Sequence, residues 1–135
     1  MKTTKAIIEK GNDGTYGIYP PDIKNVFWGD GNTVLEAKQD FLNSYQEMLD
    51  SYTEDNKPIP EELQDLQFEY QYDVSAIFND NPYLNISSTA KQIGINPSLM
   101  RQYASGKQYI SKAQVQKIQN GIRAIGRKLA KIQML

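Results

Sequence analysis

All sixteen acidic side chains of this 135-residue chain precede position 81, and the 55 residues from 81 to 135 hold none. Residues 1–80 set six lysines (Lys2, Lys5, Lys10, Lys24, Lys38, Lys57) against those sixteen acids, a net of −10. Residues 81–135 carry nine bases (Lys91, Arg101, Lys107, Lys112, Lys117, Arg123, Arg127, Lys128, Lys131) against no acid, a net of +9. The overall charge of −1 conceals this division. A chain shaped for solubility alone would mix the signs. The segregation predicts two domains with oppositely charged partners, and the length suffices for two small domains. Their expected extents are 1–72 and 73–135.

The residues that are missing narrow the chemistry. There is no cysteine, so disulfides, thiol nucleophiles and thiolate-bound zinc are excluded. There is no histidine either, which removes the commonest general base and metal ligand. No apolar run approaches the roughly 18 residues of a membrane span, and the N-terminus lacks an apolar signal segment. The expectation is a cytoplasmic protein with no membrane association.

The acidic part reads as strands, a helix and a further strand. Ala6, Ile7 and Ile8 lie in a strand over Thr4 to Lys10, and Gly11-Asn12-Asp13-Gly14 suits a turn with positive φ. Tyr16 and Ile18 alternate with polar positions until Pro20-Pro21 stops the ladder. A third strand is expected over Val26-Phe27-Trp28, closed by Gly29-Asp30-Gly31. Thr33 with Glu36 forms a capping box, and Val34, Ala37, Phe41, Tyr45, Met48 and Tyr52 then recur at helical spacing, flanked by Leu42 and Leu49. After a charged, proline-containing loop over 53–62, Leu66, Phe68, Tyr70 and Tyr72 alternate with Gln67, Glu69 and Gln71 as in a half-buried strand. The order β-β-β-α-β predicts an α+β fold, an antiparallel sheet covered by one long helix. Clustered carboxylates admit a Mg²⁺-dependent nuclease in principle, but most fall on the polar helix face or in the loop, and no P-loop, G-x-S-x-G or His-pair motif accompanies them. Carboxylates beside aromatics instead suit a surface for a basic protein. A rival reading is a one-component regulator whose first domain senses a small ligand in a pocket lined by Tyr16, Trp28 and Phe41.

From Asp73 the period becomes helical, with Val74, Ile77 and Phe78, until the break at Asn79 to Pro82. The segment from Ile86 to Gly106 then carries the spacing Ala90–Gly94–Ile95–Met100–Tyr103, that of a helix-turn-helix. Ser87 or Ser88 is the expected first cap, Gly94 turns the chain in the left-handed region, Pro97 opens the second helix and Gly106 ends it. Ser98, Arg101, Gln102 and Ser105 then face outward. Arg suits guanine and Gln suits adenine in the major groove, while Lys91, Lys107, Tyr109 and Lys112 suit phosphates. With Ser87, Ser88, Asn96 and Leu99 these make up the expected DNA-binding set. Beyond Ser111 a stripe of Val115, Ile118, Ile122, Ile125, Leu129 and Ile132 continues, open either to core packing or to dimerisation, and Gly121 and Gly126 mark either a break or a close helix contact.

Together the two parts resemble the HicB-type antitoxins of toxin–antitoxin systems. The first carries Tyr19-Pro20-Pro21-Asp22-Ile23, Gly29-Asp30-Gly31-Asn32-Thr33 and the Leu35-Glu36-Ala37 helix start. The run from Ala90-Lys91-Gln92-Ile93-Gly94 to Tyr103-Ala104-Ser105-Gly106 is similar to the Cro/repressor-like helix-turn-helix. The resemblance implies a partial ribonuclease H-like first domain without nuclease activity. That domain would neutralise a small basic mRNA-cleaving ribonuclease toxin, and the second would bind operator DNA and repress the shared operon. Asp30, Glu47, Asp50 and Glu54 are the expected toxin contacts. The chain is expected to act as a homodimer or higher homo-oligomer, without catalytic, metal or cofactor sites.

Overall fold

The computed structural model describes residues 1–23 and 27–135. The chain divides into two compact units, Met1–Asn81 and Pro82–Leu135. This boundary lies nine residues beyond the one expected after Tyr72, and with it the first unit holds every acid of the chain. Among the described residues, no helix is long and apolar enough to cross a membrane.

The first unit is α+β. Its four strands are β1 (Lys2–Lys10), β2 (Tyr16–Tyr19), β3 (Gly29–Gly31) and β4 (Leu66–Tyr72), in the sheet order β3-β2-β1-β4. One long helix, α1 (Val34–Glu54), packs on the sheet, followed by a 3-10 turn at Glu61–Leu63. The β1–β2 hairpin turns as its residues dictate: Gly14 takes φ +84°, and Asp13 accepts hydrogen bonds from the Thr15 hydroxyl (2.7 Å) and backbone N–H (3.0 Å). Those bonds hold the Asp13 carboxyl below its ordinary pKa, the Thr15 hydroxyl contributing most.

The expected antiparallel sheet is corrected at β4. β1–β2 and β2–β3 pair antiparallel, but β1–β4 pairs parallel over Lys2↔Leu66 to Ile8↔Tyr72, so the sheet is mixed. The helix is the reason. β3 already runs parallel to β1 after two reversals, and α1, 21 residues and roughly 30 Å long, carries the chain back before the next strand begins. The strand that follows such a crossover repeats the direction of the one before it.

The third strand also differs from expectation. Val26 lies outside the described residues, Phe27 and Trp28 belong to no strand, and the strand is Gly29-Asp30-Gly31 itself. Both glycines face α1. A Cβ on Gly29 would lie 2.4 Å from the Phe41 backbone nitrogen, and one on Gly31 would lie 2.5 Å from that of Ala37. These glycines therefore admit helix backbone where any side chain would push it away. The intervening Asp30 is exposed, and its N–H donates to the Asp40 carboxylate on α1 (2.8 Å). That bond satisfies a donor on an edge strand, which otherwise invites pairing with other chains.

Between sheet and helix lie Ala6, Ile8, Ile18, Val34, Ala37, Phe41 and Leu63, with Phe27 closing one side. Phe41 meets Phe68 edge-on at 4.8 Å between ring centroids and Phe27 at 5.2 Å, a packing that favours aromatic quadrupoles. Thr33 caps α1 by accepting from the Glu36 N–H, and Glu36 reaches back to the Asn32 N–H, closing the anticipated capping box one residue earlier than the standard form.

Helix α2 (Val74–Asp80), capped by Asp73 as expected, belongs to this unit and not to the basic one. Asp73 accepts from the Lys10 N–H (2.8 Å), the Tyr16 and Ser75 hydroxyls share a buried hydrogen bond (2.7 Å), and Asn79 accepts from the Val34 N–H (2.8 Å). Lys38 completes the attachment. Its ammonium donates to the Tyr72 hydroxyl (2.6 Å) and to Asp80 (2.9 Å), and lies 4.7 Å from the centre of the Tyr70 ring. Burial opposes the Lys38 charge, but the bonds to Tyr72 and Asp80 outweigh it and raise its pKa. Burial likewise raises the Tyr70 pKa, against the pull of Lys38.

Two outcomes test this packing. Gly29→Ala should destabilise the first unit by about 1–3 kcal/mol, since overpacked backbone must shift, and denaturant melts would register it. For Lys38 the folded-state pKa is the raised one, so its contribution is complete below the unfolded value and is lost as pH climbs through the folded value. Melting temperature should therefore fall above pH 10 or so, and Lys38→Met should lower stability at neutral pH and flatten that alkaline decline.

Candidate functional site

The second unit is built from three helices, α3 (Ile86–Ile93), α4 (Pro97–Ser105) and α5 (Lys112–Ala130). α3 starts two or three residues earlier than expected. Asn85, not Ser87 or Ser88, is the N-cap, its carboxamide oxygen accepting from the Ser88 N–H (2.9 Å). Asn caps as well as Ser does, and its use here leaves both serine hydroxyls in the first turn out of the cap. Gly94 ends α3 in the left-handed region at φ +92°, with its N–H and that of Ile95 both donating to Ala90 O at 2.9 Å. Asn96 caps α4 through the Ser98 N–H (2.8 Å) and the Leu99 N–H (3.4 Å), Pro97 occupies its first turn, and Gly106 closes it at φ +78°.

Ala90, Ile95, Met100, Tyr103 and Ile118 are buried, so the anchors read from the spacing form the core of the unit. Full burial of the small Ala90 lets α3 and α4 approach. Gly121 does the same for α3 and α5: a Cβ there would lie 2.5 Å from Ile93 Cγ1. α5 is unbroken, so Gly121 marks a close contact, whereas Gly126 has open space around it.

The opposite side of α4 is free of the core. Ser98, Arg101, Gln102 and Ser105 are all exposed and, at 100° per residue, fall within an arc of roughly 100°. Arg101 is held in place: its Nη1 donates to Ser87 Oγ (2.7 Å) and its Nη2 to Ser98 Oγ (3.1 Å). The guanidinium is thus fixed between the first turns of α3 and α4 with three of its five N–H donors left over. Of the remaining expected contacts, Ser88, Lys91, Asn96, Lys107, Tyr109 and Lys112 are exposed, while Ser87 and Leu99 are only partly so. Asn96 has spent its carboxamide oxygen on the cap, and the Ser105 hydroxyl donates to Gln102 O (2.8 Å). Lys117 donates to Gly94 O (2.9 Å), placing a cation at the negative end of α3.

The acidic unit presents a second surface. Glu47, Asp50 and Glu54 lie on one exposed face of α1, and Glu36 and Asp40 extend that face toward the helix start. Asp30 joins it through its bond to Asp40. The carboxylates are spread along the helix, and among the described residues no group of three or more Asp or Glu is placed to hold a metal ion. A shallow groove of about 380 Å³ runs past Trp28, Asp40, Ser44, Glu47 and Ser51. Trp28 is 62% exposed there. Trp28 and Asp40 were absent from the expected contacts. Asp40 was findable, seven residues before Glu47 on the same face; Trp28 was not, because an isolated indole gives no sign of exposure. Tyr16 and Phe41, expected with Trp28 to line a ligand pocket, are core residues that do not reach this groove.

No protein-family model matches the chain, and no curated protein gives a significant match to it.

The cap assignment is open to measurement. Asn85→Ala should cost about 1 kcal/mol of stability in the second unit, while Ser88→Ala should stay within about 0.5 kcal/mol, as read by thermal melts. A larger loss from Ser88→Ala would return the cap to the serine.

Proposed function

We infer that the chain is a cytoplasmic repressor-antitoxin of the HicB type, without catalysis of its own. Its second unit binds operator DNA through α4 and represses an operon, and its first unit binds and neutralises a small basic mRNA-cleaving ribonuclease. The observation that carries this reading is the exposed face of Ser98, Arg101, Gln102 and Ser105, on a helix that follows an αL glycine turn in a unit with no acidic side chain. In the major groove the free donors of Arg101 match guanine O6 and N7, and the Gln102 carboxamide matches adenine N6 and N7. Lys91, Lys107 and Lys112, with Tyr109, would meet phosphates and position the helix without reading bases. The acidic face of α1 supports the antitoxin half: a ribonuclease that grips RNA is cationic where it does so, and a complementary anionic surface both steers and blocks it.

Binding to DNA from upstream of its own reading frame, followed by fluorescence anisotropy, tests the first half. Arg101→Ala with Gln102→Ala should remove discrimination between that DNA and a scrambled duplex, each lost bidentate contact costing about 1–3 kcal/mol, or roughly 5- to 150-fold. Lys107→Ala with Lys112→Ala should instead weaken both duplexes alike and flatten the salt dependence by up to about two log units per log unit of salt. Unchanged discrimination in the first variant would refute α4 as the reading helix. For the second half, Glu47→Lys, Asp50→Lys and Glu54→Lys together should abolish growth rescue when the chain is co-expressed with an adjacent small basic protein, with operator binding retained.

A further inference from the structure

Trp28, the one tryptophan of the chain, borders two grooves. The first, of about 380 Å³, runs along a row of α1 residues, Asp40, Ser44, Glu47 and Ser51, at spacings of 4, 3 and 4, with Phe27 and Met48 beneath them. The second, of about 340 Å³, is shared with Glu9, Ile18, Tyr19 and Asp30. Each groove is thus edged by two carboxylates, and among the described residues no lysine or arginine lines either one. A single exposed indole needs no explanation. One set among four carboxylates with no cation beside them selects the chemistry of a partner.

The face of an indole is negative by its quadrupole, and the surrounding acids add to that field, so the matching occupant is a cation. A nucleobase could also stack on the ring, but its phosphate would then be brought against the carboxylates. Of the two long cationic side chains, arginine suits the site better. Its guanidinium is planar and weakly hydrated, so it can lie on an aromatic ring while its N–H edge donates in plane to a carboxylate. A lysine ammonium is a strongly hydrated point charge that gains less from the ring. Asp40 is oriented for such a donor, because the Asp30 N–H holds its Oδ2 at 2.8 Å and leaves Oδ1 facing no donor among the described residues. Ser44 and Ser51 are short, so the row on α1 leaves the groove open between its two acids.

We propose that Trp28 and Asp40 form a docking point for an arginine side chain of a basic protein partner, its guanidinium stacked on the indole and donating to Asp40. Glu47, two helical turns further along α1, adds to the attracting field. The inference rests on the reading of the first unit as the receptor for a basic protein, and it names the group by which that protein is gripped. It also carries a selectivity that charge alone does not supply, for arginine over lysine at equal charge.

Titration of the full chain with blocked tetra-arginine and blocked tetra-lysine, in about 0.15 M salt to screen unspecific attraction, tests the docking point. Fluorescence reports Trp28 alone, since no other tryptophan is present. Tetra-arginine should change the emission saturably and bind roughly 2- to 30-fold more tightly than tetra-lysine. Trp28→Leu, followed by calorimetry, should bring the two peptides to equal affinity with the thermal melt retained, since the indole is 62% exposed. Asp40→Asn, whose carboxamide oxygen can still accept from the Asp30 N–H, should weaken tetra-arginine severalfold. Glu61→Gln with Glu62→Gln, outside both grooves, should leave the arginine preference unchanged. Equal affinities in the wild type would overturn the proposal. So would an arginine preference that survives Trp28→Leu, wild-type binding by Asp40→Asn, or saturable quenching by oligothymidylate, which would assign the indole to bases. If the wild type shows no preference while the triple α1 variant still abolishes growth rescue, the docking point alone is wrong. If that triple variant rescues growth as the wild type does, the reading of the α1 face fails and the docking point fails with it.

Discussion

The confinement of every carboxylate to the first unit decides how the second unit is held together. With no Asp or Glu in Pro82–Leu135, none of its nine cations has a side-chain carboxylate to pair with inside its own unit. Stability there has to come from neutral devices, and the helix ends display them. α1 and α2 begin with Thr33, supported by Glu36, and with Asp73. α3, α4 and α5 begin with Asn85, Asn96 and Ser111, which satisfy the same orphan N–H groups without a charge. Left-handed glycines at 94 and 106 finish α3 and α4, and Lys117 caps the negative end of α3.

The same exclusion shapes the treatment of Arg101. An arginine in a folded protein is commonly fixed by a carboxylate, whose charge cancels its own. Here two serine hydroxyls fix it, from Ser87 on α3 and Ser98 on α4. The guanidinium is thus ordered without a counter-charge, so that the proposed DNA contact would lose less side-chain entropy and would meet its full charge. In the first unit the one ion pair among the described residues, Lys38–Asp80, has a different task, anchoring α2 beside Tyr70 and Tyr72.

What the sequence made legible were features set by neighbours in the chain. The capping box at Thr33, the αL turn at Gly94, the alternation of β4 and the anchors Ala90, Ile95, Met100 and Tyr103 all follow from spacing within a few residues. What escaped depended on partners distant along the chain. Gly29 and Gly31 look like a turn until α1 is laid against them. The parallel direction of β4 is a property of the crossover, and no residue in the strand encodes it. The change of period at Asp73 marks a helix start correctly, yet α2 joins the first unit because Lys10, Tyr16 and Val34, some 40 to 65 residues away, offer it hydrogen bonds. Within the candidate interface the outward set on α4 was readable, but the cap was assigned to Ser87 or Ser88 where Asn85 serves. Asn85, Ser87 and Ser88 are all competent caps, and only the backbone chooses among them.

Stability alone does not explain an acid-free second unit. An Asp or Glu in the first turn of a helix gains typically about 0.3–1 kcal/mol from the helix dipole, and α3, α4 and α5 all forgo it. Summed, the loss is about 1–3 kcal/mol, a substantial part of the 5–15 kcal/mol by which ordinary domains are stable. Solubility does not explain it either, since mixed charges serve that end better. The proposed contact with an anionic ligand along many helix starts and loops would account for it, because each carboxylate placed there would be brought against negative charge on binding. A polyphosphate backbone is such a ligand, and the sacrifice at three helix starts is what contact with one over most of the unit would require.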